Sequence, residues 1–368
     1  MKKENLSRRH FLATVATTGA VATTQRSAFA PPPKPTDAFS HSLLTPRSAD
    51  EPIKIACMLK LSQAEAEQIK GAGRHVELMI LTDLNASKYL AEAEVILGAV
   101  DGPTLLQAKK LKWVQALGAG VENMPRELIE HPCTLTNMQR VYAPVIAESA
   151  IALLLSLTRG LTQVSVPAFR ERKWRQAPND LVLDDLYGKT IGIVGMGGIG
   201  SETARRLHYG FQMRVLSTDA KALPKPEFVA KLHDPTWLME MVPQVDVLMS
   251  AAPLTRETRG LFNEQVFGQM KPSAYFINVS RGGLVDQEAL VRALKENRIR
   301  GAGLDVTTPE PLPADSSLWT CPNLVITPHN SGQAPIRQVR LMALITENVR
   351  RYSHGLPLMN VVDKRKGY

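Results

Sequence analysis

Residues 190–200 read Thr190-Ile191-Gly192-Ile193-Val194-Gly195-Met196-Gly197-Gly198-Ile199-Gly200. A short apolar strand runs without a break into G-x-G-x-x-G, and Ile199–Tyr209 continues with helical spacing. Each glycine answers a steric need. Gly195 permits the tight turn, Gly197 lets the backbone approach a pyrophosphate, and Gly200 lets the helix pack close to the strand. The helix N-terminus offers free N–H groups and the positive end of a dipole to phosphates. A second strand, Arg214–Thr218, ends at Asp219, 19 residues beyond Gly200. An acid at that distance accepts hydrogen bonds from the adenosine ribose hydroxyls and repels a 2′-phosphate. Gly195, Gly197, Ile199, Gly200 and Asp219 are therefore candidate dinucleotide-binding residues, with NAD favoured over NADP; Lys221 close by moderates that preference.

Working outward, strands and helices alternate on both sides. Upstream, Ile53–Leu59, His75–Leu81, Glu94–Ala99, Trp113–Leu117 and Thr134–Asn137 are strand-like and are separated by helical pieces such as Gln63–Lys70. Pro144–Arg159 is apolar nearly all round and is expected to be buried between layers or domains. Downstream come strands at Asp246–Ala251, Ala274–Val279, Gly301–Val306 and Leu324–Thr327, helices at Asn263–Met270 and Asp286–Glu296, and a closing helix at Arg337–Arg351. This spacing implies βαβ units and parallel sheets, hence an α/β chain with two doubly wound domains and a cleft between them.

Three ionisable residues stand where these strands end. Arg281 follows Ala274–Val279, Glu310 follows Gly301–Val306 after a short loop, and His329 closes Leu324–Thr327. In a parallel sheet these ends share the edge of the glycine loop, where open α/β sheets bind ligands. Arginine grips a carboxylate with two parallel hydrogen bonds. Histidine transfers protons near neutral pH, and a bonded carboxylate orients its ring. Beside a hydride carrier, this set suits oxidation of a 2-hydroxy acid or reduction of a 2-oxo acid.

The chain resembles the D-isomer-specific 2-hydroxyacid dehydrogenases from about Ile53 to Val361, most densely from Leu186 to Gly332. The matching pieces are Gly188–Gly195, Pro253-Leu254-Thr255, Glu257-Thr258-Arg259-Gly260, Asn278–Gly283, Leu304-Asp305-Val306, Pro309-Glu310-Pro311-Leu312-Pro313 and Thr327-Pro328-His329. The resemblance implies that Arg281 holds the substrate carboxylate and polarises its carbonyl, and that His329, paired with Glu310, is the acid/base. It implies that Pro253, Thr258 and Asp305 lie at the cofactor, Asp305 near the nicotinamide carboxamide. It also implies that backbone amides of Gly118-Ala119-Gly120-Val121 help bind the carboxylate. It implies a flavodoxin-like substrate domain at 53–152 plus 333–368, with a Rossmann NAD-binding domain inserted at 153–332. A homodimer through the latter is implied as well. Glu310 disfavours formate, since formate-oxidising relatives lack such a partner. Glyoxylate, hydroxypyruvate or a phosphoglycerate-like acid remain as substrates. Trp319, ahead of the last strand, either lines the pocket or packs.

The N-terminus is read apart from the domains. Residues 1–30 have a basic start, an apolar small-residue stretch at Phe11–Ala22 and an A-x-A end at Ala28-Phe29-Ala30, the pattern of an export signal. Ser7-Arg8-Arg9-His10-Phe11-Leu12 resembles a twin-arginine signal, which is read by export machinery and implies a periplasmic or exported protein. Should the signal not act, the protein stays in the cytoplasm. Pro31 disfavours cleavage at the bond before it. The apolar stretch is too short for a stable membrane anchor. Residues 31–52 hold six of the 25 prolines and read as a linker.

The 368 residues carry a net charge of +9, which raises the question of a nucleic-acid partner. The first thirty residues hold five basic groups and one acid, leaving 39 basic and 34 acidic residues over the other 338. That balance is ordinary, and Arg170, Arg172, Lys173 and Arg175 around Trp174 are read as a solvated loop, so no nucleic acid is expected. Cys57, Cys133 and Cys321 are too few and too scattered for a disulfide framework, and no metal site is expected. The competing functional class is a non-catalytic dinucleotide-binding sensor on the same fold.

Overall fold

A computed structural model describes residues 51–81, 86–178 and 183–368. The expected leader at 1–30 and all but the last two residues of the Pro-rich stretch lie outside the described residues.

The first sheet contains β1 (Ile53–Cys57), β2 (Val76–Ile80), β3 (Val95–Leu97), β4 (Trp113–Gln115) and β5 (Thr134–Thr136), all parallel in the order β2-β1-β3-β4-β5. Helices α1 (Gln63–Lys70), α2 (Ala86–Leu90), α3 (Gly102–Gln107) and α4 (Arg126–Glu130) connect its strands. Ser62 and Glu65 start α1 with reciprocal caps, each side chain accepting the other's backbone N–H. The buried strands Val95–Leu97 and Trp113–Gln115 have apolar cores on both faces, as parallel sheets require.

Helix α5 (Ala143–Thr158) leads through a π-turn at Leu161–Ser165 and α6 (Val166–Arg170) to the second sheet. Its strands are β6 (Thr190–Val194), β7 (Arg214–Thr218), β8 (Lys231–His233), β9 (Val247–Ser250), β10 (Tyr275–Asn278), β11 (Gly301–Leu304) and β12 (Leu324–Ile326). All are parallel, in the order β12-β11-β10-β9-β6-β7-β8. Helices α7 (Gly198–Phe211), α8 (Leu238–Met241), α9 (Glu264–Gln269) and α10 (Gln287–Lys295) cover its faces. The chain runs from β6 to one side and returns to β9 on the other. That reversal leaves a crevice at their carboxyl ends, the place where such sheets bind ligands.

The closing helix, α11 (Arg337–Ser353), returns to the first sheet. Leu341, Met342, Ile345, Val349 and Tyr352 share its core with Ile53, Ile55 and Trp113. A buried polar chain locks this contact: Trp113 Nε1 donates to Thr136 Oγ1 at 2.8 Å, Thr136 Oγ1 to Gln115 Oε1 at 2.8 Å, and Asn348 Nδ2 to Gln115 Oε1 at 3.0 Å. Leu153, Leu154 and Leu157 of α5 belong instead to the core of the second sheet, while Ile146 touches both cores. No single helix among the described residues is long and apolar enough to cross a membrane. The pair α5 plus Leu161–Arg170 meets length and composition together but is bent by 63°.

Candidate active site

The glycine loop follows β6 directly. Gly195 has φ +98°, and a Cβ there would lie 2.7 Å from the Ala251–Ala252 backbone, so only glycine fits the turn. A Cβ on Gly200 would strike the Gly195 carbonyl, whereas beside Gly197 there is open space with no atom within 4 Å. α7 starts at this opening without a side-chain cap, so its first N–H groups are left for an incoming anion. These are the features a dinucleotide pyrophosphate requires, and the residues present fit that group. Ile199 is partly buried against the second-sheet core.

Asp219, just past β7, braces the loop. Its Oδ2 accepts from Met196 N at 2.6 Å and its Oδ1 from Lys221 N at 2.8 Å. Burial pushes Lys221 below the usual lysine range, with the Asp219 charge opposing that shift. The ring of Tyr368 lies 4.7 Å from Lys221 Nζ. After β9, Thr258 Oγ1 donates to the Pro253 carbonyl at 2.7 Å and accepts from Thr255 N at 2.8 Å, which closes the Pro253–Thr258 loop at the same sheet edge.

β10, β11 and β12 are neighbours, so Arg281, Asp305 and His329 leave the sheet side by side. β11 stops at Leu304, two residues earlier than the alternation suggests, which puts Asp305 in the loop. Asp305 is 2% exposed and organises the histidine turn. Its Oδ1 accepts from Thr327 Oγ1 at 2.6 Å and Asn330 N at 3.1 Å, its Oδ2 from Ser331 N at 3.1 Å, and its carbonyl from His329 N at 2.8 Å. This cage holds His329 at φ +49°, a left-handed conformation disfavoured for a side-chain-bearing residue. His329 Nδ1 then meets Glu310 Oε2 at 2.7 Å, and Glu310 Oε1 accepts from Thr307 N at 2.9 Å. A carboxylate on Nδ1 assigns the proton there and leaves Nε2 for a substrate. Ser331 Oγ, buried beside this turn, has no hydrogen-bond partner among the described residues.

Arg281 is set by its own turn. Buried Asn278 accepts from Ser280 N at 3.0 Å and donates to the Arg281 carbonyl at 2.9 Å, and Arg281 Nη1 donates to Ser280 O at 2.7 Å. The guanidinium reaches the loop after β4. There Gly118 O accepts from Met138 N at 2.9 Å and Ala119 O from Asn137 Nδ2 at 2.7 Å. A Cβ on Gly120 would lie 2.9 Å from Arg281 Cζ, and Arg281 Nε donates to Glu122 Oε1. Of the four residues Gly118, Ala119, Gly120 and Val121, the structure brings Gly120 against Arg281; Ala119 and Val121 pack into the cores of the first sheet.

Glu122 is the contact that sequence reasoning missed, although it directly follows the four residues singled out. The role of Asp305 in holding the histidine turn was missed too; Thr327, Asn330 and Ser331 around His329 were its available signal. Trp319 is exposed, with its indole N–H donating to Pro313 O at 2.8 Å. Among the described residues no cluster of His, Cys, Asp and Glu could hold a metal, and the three cysteines are free thiols. A depression of about 270 Å³ lined by Leu155, Thr158, Leu186 and Phe211 includes none of the strand-end groups.

Residues 151–331 match the family model described as "D-isomer specific 2-hydroxyacid dehydrogenase, NAD binding domain". A glyoxylate reductase of Korarchaeum cryptofilum is 34% identical over 269 residues, covering 72% of this chain and 80% of the relative. A glyoxylate/hydroxypyruvate reductase B of Escherichia fergusonii is 34% identical over 270 residues, covering 72% and 82%. Among solved structures, a D-isomer specific 2-hydroxyacid dehydrogenase family protein of Aeromonas salmonicida superposes with a TM-score of 0.71 at 31% identity, covering 84% of this chain and 99% of that one. An NADPH-dependent glyoxylate/hydroxypyruvate reductase of Sinorhizobium meliloti, in complex with NADP and sulfate, gives 0.69 at 26% identity, covering 85% and 99%. The chain belongs to the D-isomer specific 2-hydroxyacid dehydrogenase family and is an oxidoreductase acting on the CH–OH group with a nicotinamide cofactor.

Proposed function

We propose that the chain interconverts a small 2-oxo acid of the glyoxylate or hydroxypyruvate type and its D-2-hydroxy acid, with NAD preferred. The observation that carries this is the 2.7 Å His329–Glu310 pair on the same sheet edge as Arg281 and the glycine loop. The nicotinamide supplies or accepts the hydride at C2. The other steps fall to side chains. Arg281 and the Gly118–Val121 amides hold the carboxylate and align the carbonyl. His329 Nε2 gives its proton to the carbonyl oxygen in reduction and takes it back in oxidation. Glu310 fixes the ring orientation and its tautomer. Pro253, Thr258 and Asp305 border the cofactor, and Asp219 meets the adenosine ribose, which favours NAD. The NADPH-dependent Sinorhizobium meliloti enzyme, solved with NADP, makes that preference the first thing to measure. A panel of 2-oxo acids assayed with NADH and with NADPH tests the assignment; no turnover of any member, or a strict NADPH requirement, overturns it.

The domain division at 152/153 and 332/333 is part of the same proposal, supported by the membership of α5 and α11 in different cores. A homodimer through the cofactor domain is supported by exposed Phe169, Trp174 and Tyr187 around the start of that domain. Light scattering on the purified protein tests it, a monomer being the contrary result. Export by the twin-arginine route rests on the sequence of residues 1–30, with the Arg8-Arg9 pair at its centre, and cell fractionation of the wild type against an Arg8→Lys, Arg9→Lys variant tests it.

A further inference from the structure

Arg281 and His329 at the strand ends each already have an anionic partner. His329 has Glu310, and Arg281 has Glu122, a residue 159 positions away on the loop of the other sheet. The two ion pairs differ in what they leave open. Glu310 takes the far nitrogen of the imidazole, so the reactive nitrogen stays available. Glu122 takes Nε of the guanidinium, Ser280 O takes one hydrogen of Nη1, and the other three N–H groups make no hydrogen bond among the described residues. A carboxylate can therefore still dock on Arg281, but it does so beside a carboxylate already there. Both side chains are partly shielded, at 30% and 20% exposed, so their charges are only partly screened by solvent. Space is tight as well, since Gly120 lies against both groups and any side chain there would displace them.

We propose that Glu122 determines specificity as an internal anion on Arg281, which restricts the site to substrates of a single negative charge. This rests on Arg281 as the carboxylate anchor and sharpens the substrate class. With His329 protonated, Arg281, Glu122, Glu310 and His329 sum to zero charge. One carboxylate shares the arginine; a second negative charge finds no unpaired cation among these four groups. Glyoxylate and hydroxypyruvate carry one charge. A phosphorylated or dicarboxylic 2-oxo acid carries more and is disfavoured by each additional charge. The same loop that positions the guanidinium thus also sets how much charge it can neutralise.

Oxamate and oxalate are close in shape and differ by one unit of charge, so they are the probes. Each is titrated calorimetrically into the enzyme–NADH complex of the wild type and of Glu122→Gln, which keeps the side-chain shape and removes the charge. Removing one charge about 6 Å from the added one, at an effective dielectric of about 40, is worth about tenfold in affinity. The oxalate-to-oxamate affinity ratio therefore rises about tenfold in Glu122→Gln. The kcat/KM ratio of phosphohydroxypyruvate to hydroxypyruvate rises in parallel. Ratios unchanged within twofold overturn the proposal. If the glutamine variant does not fold, Glu122→Asn removes the same charge and is read the same way. Arg281→Lys separates the two levels of the argument. Loss of both ligands there with an unchanged ratio in Glu122→Gln removes the role of Glu122 alone. Retention of both ligands by Arg281→Lys removes the anchor itself, and the charge limit with it.

Discussion

Asp305→Asn tests how the site is held together. The aspartate carboxylate is buried, with Thr327 Oγ1 and Asn330 N on one oxygen and Ser331 N shared between the two, at 3.1 Å from Oδ2 and 3.3 Å from Oδ1. An asparagine keeps its carbonyl toward the first two donors and must then point its NH2 at Ser331 N–H. The shorter of the two Ser331 bonds is lost, a buried donor faces a donor, and the remaining bonds, including the longer one from Ser331 N, change from a charged acceptor to a neutral one. Hydrogen bonds to charged groups contribute about 1.5–3 kcal/mol and an unsatisfied buried group costs about 1–3 kcal/mol, so the substitution costs about 3 kcal/mol in total. The cost falls on the turn that keeps His329 left-handed at φ +49°. A right-handed histidine there is more relaxed by about 1–2 kcal/mol, so the turn is expected to release it. Turnover then falls about a hundredfold, which at about 1.4 kcal/mol per factor of ten matches the energy lost from the cage. The assay pairs steady-state kinetics with urea unfolding. A variant within twofold of wild-type kcat and within about 0.5 kcal/mol in stability refutes the reasoning and leaves Asp305 without a part in placing the histidine.

Three further substitutions address separate claims. His329→Ala should lower turnover by about a hundredfold to ten-thousandfold, the usual range for a general acid/base, while leaving the NADH dissociation constant nearly unchanged; retained turnover contradicts the assignment. Asp219→Ala removes the acceptor of Met196 N and, in the proposed complex, of a ribose hydroxyl. NADH should bind about tenfold more weakly and the NADH-to-NADPH affinity ratio should fall, whereas a constant ratio argues against a ribose contact. Glu347 lies between Arg350 and Arg351, whose guanidinium hydrogen bonds lower its carboxyl from 4.5 to about 2. A depressed acid stabilises the fold above its unfolded value and loses that contribution as pH falls from about 4.5 toward 2. Because the side chain is one-third exposed, the stability difference from Glu347→Gln should be about 1 kcal/mol at neutral pH after allowing for screening. It should fade in acid, and a difference that persists near pH 2 is the contrary result.

Much of the scaffold was legible because its signals are local. The run from Thr190 to Gly200 specifies a strand, a turn that tolerates only glycine and a helix start, all within eleven residues. Arg281 and His329 could be placed at one edge because a parallel sheet sends every strand the same way. β8 was overlooked for an equally local reason: Lys231-Leu232-His233 is mostly exposed and, at three residues, too short for its single polar–apolar–polar alternation to announce a strand, yet it pairs with β7. Asp305 was expected at the cofactor, but its hydrogen bonds to Thr327, Asn330 and Ser331 depend on where β11 and β12 stop relative to one another.

The amino-acid order by itself determined the βαβ plan, the phosphate-type loop and the residue types needed for carboxylate binding and proton transfer. Those follow from backbone sterics and side-chain chemistry that act over a few residues. Tertiary structure alone decided the charge partner of Arg281. Glu122 and Arg281 are 159 residues apart and meet because a loop from one sheet is pinned against the carboxyl end of another. No spacing rule reports such a meeting, since the energy of an ion pair depends on the distance and exposure reached after packing.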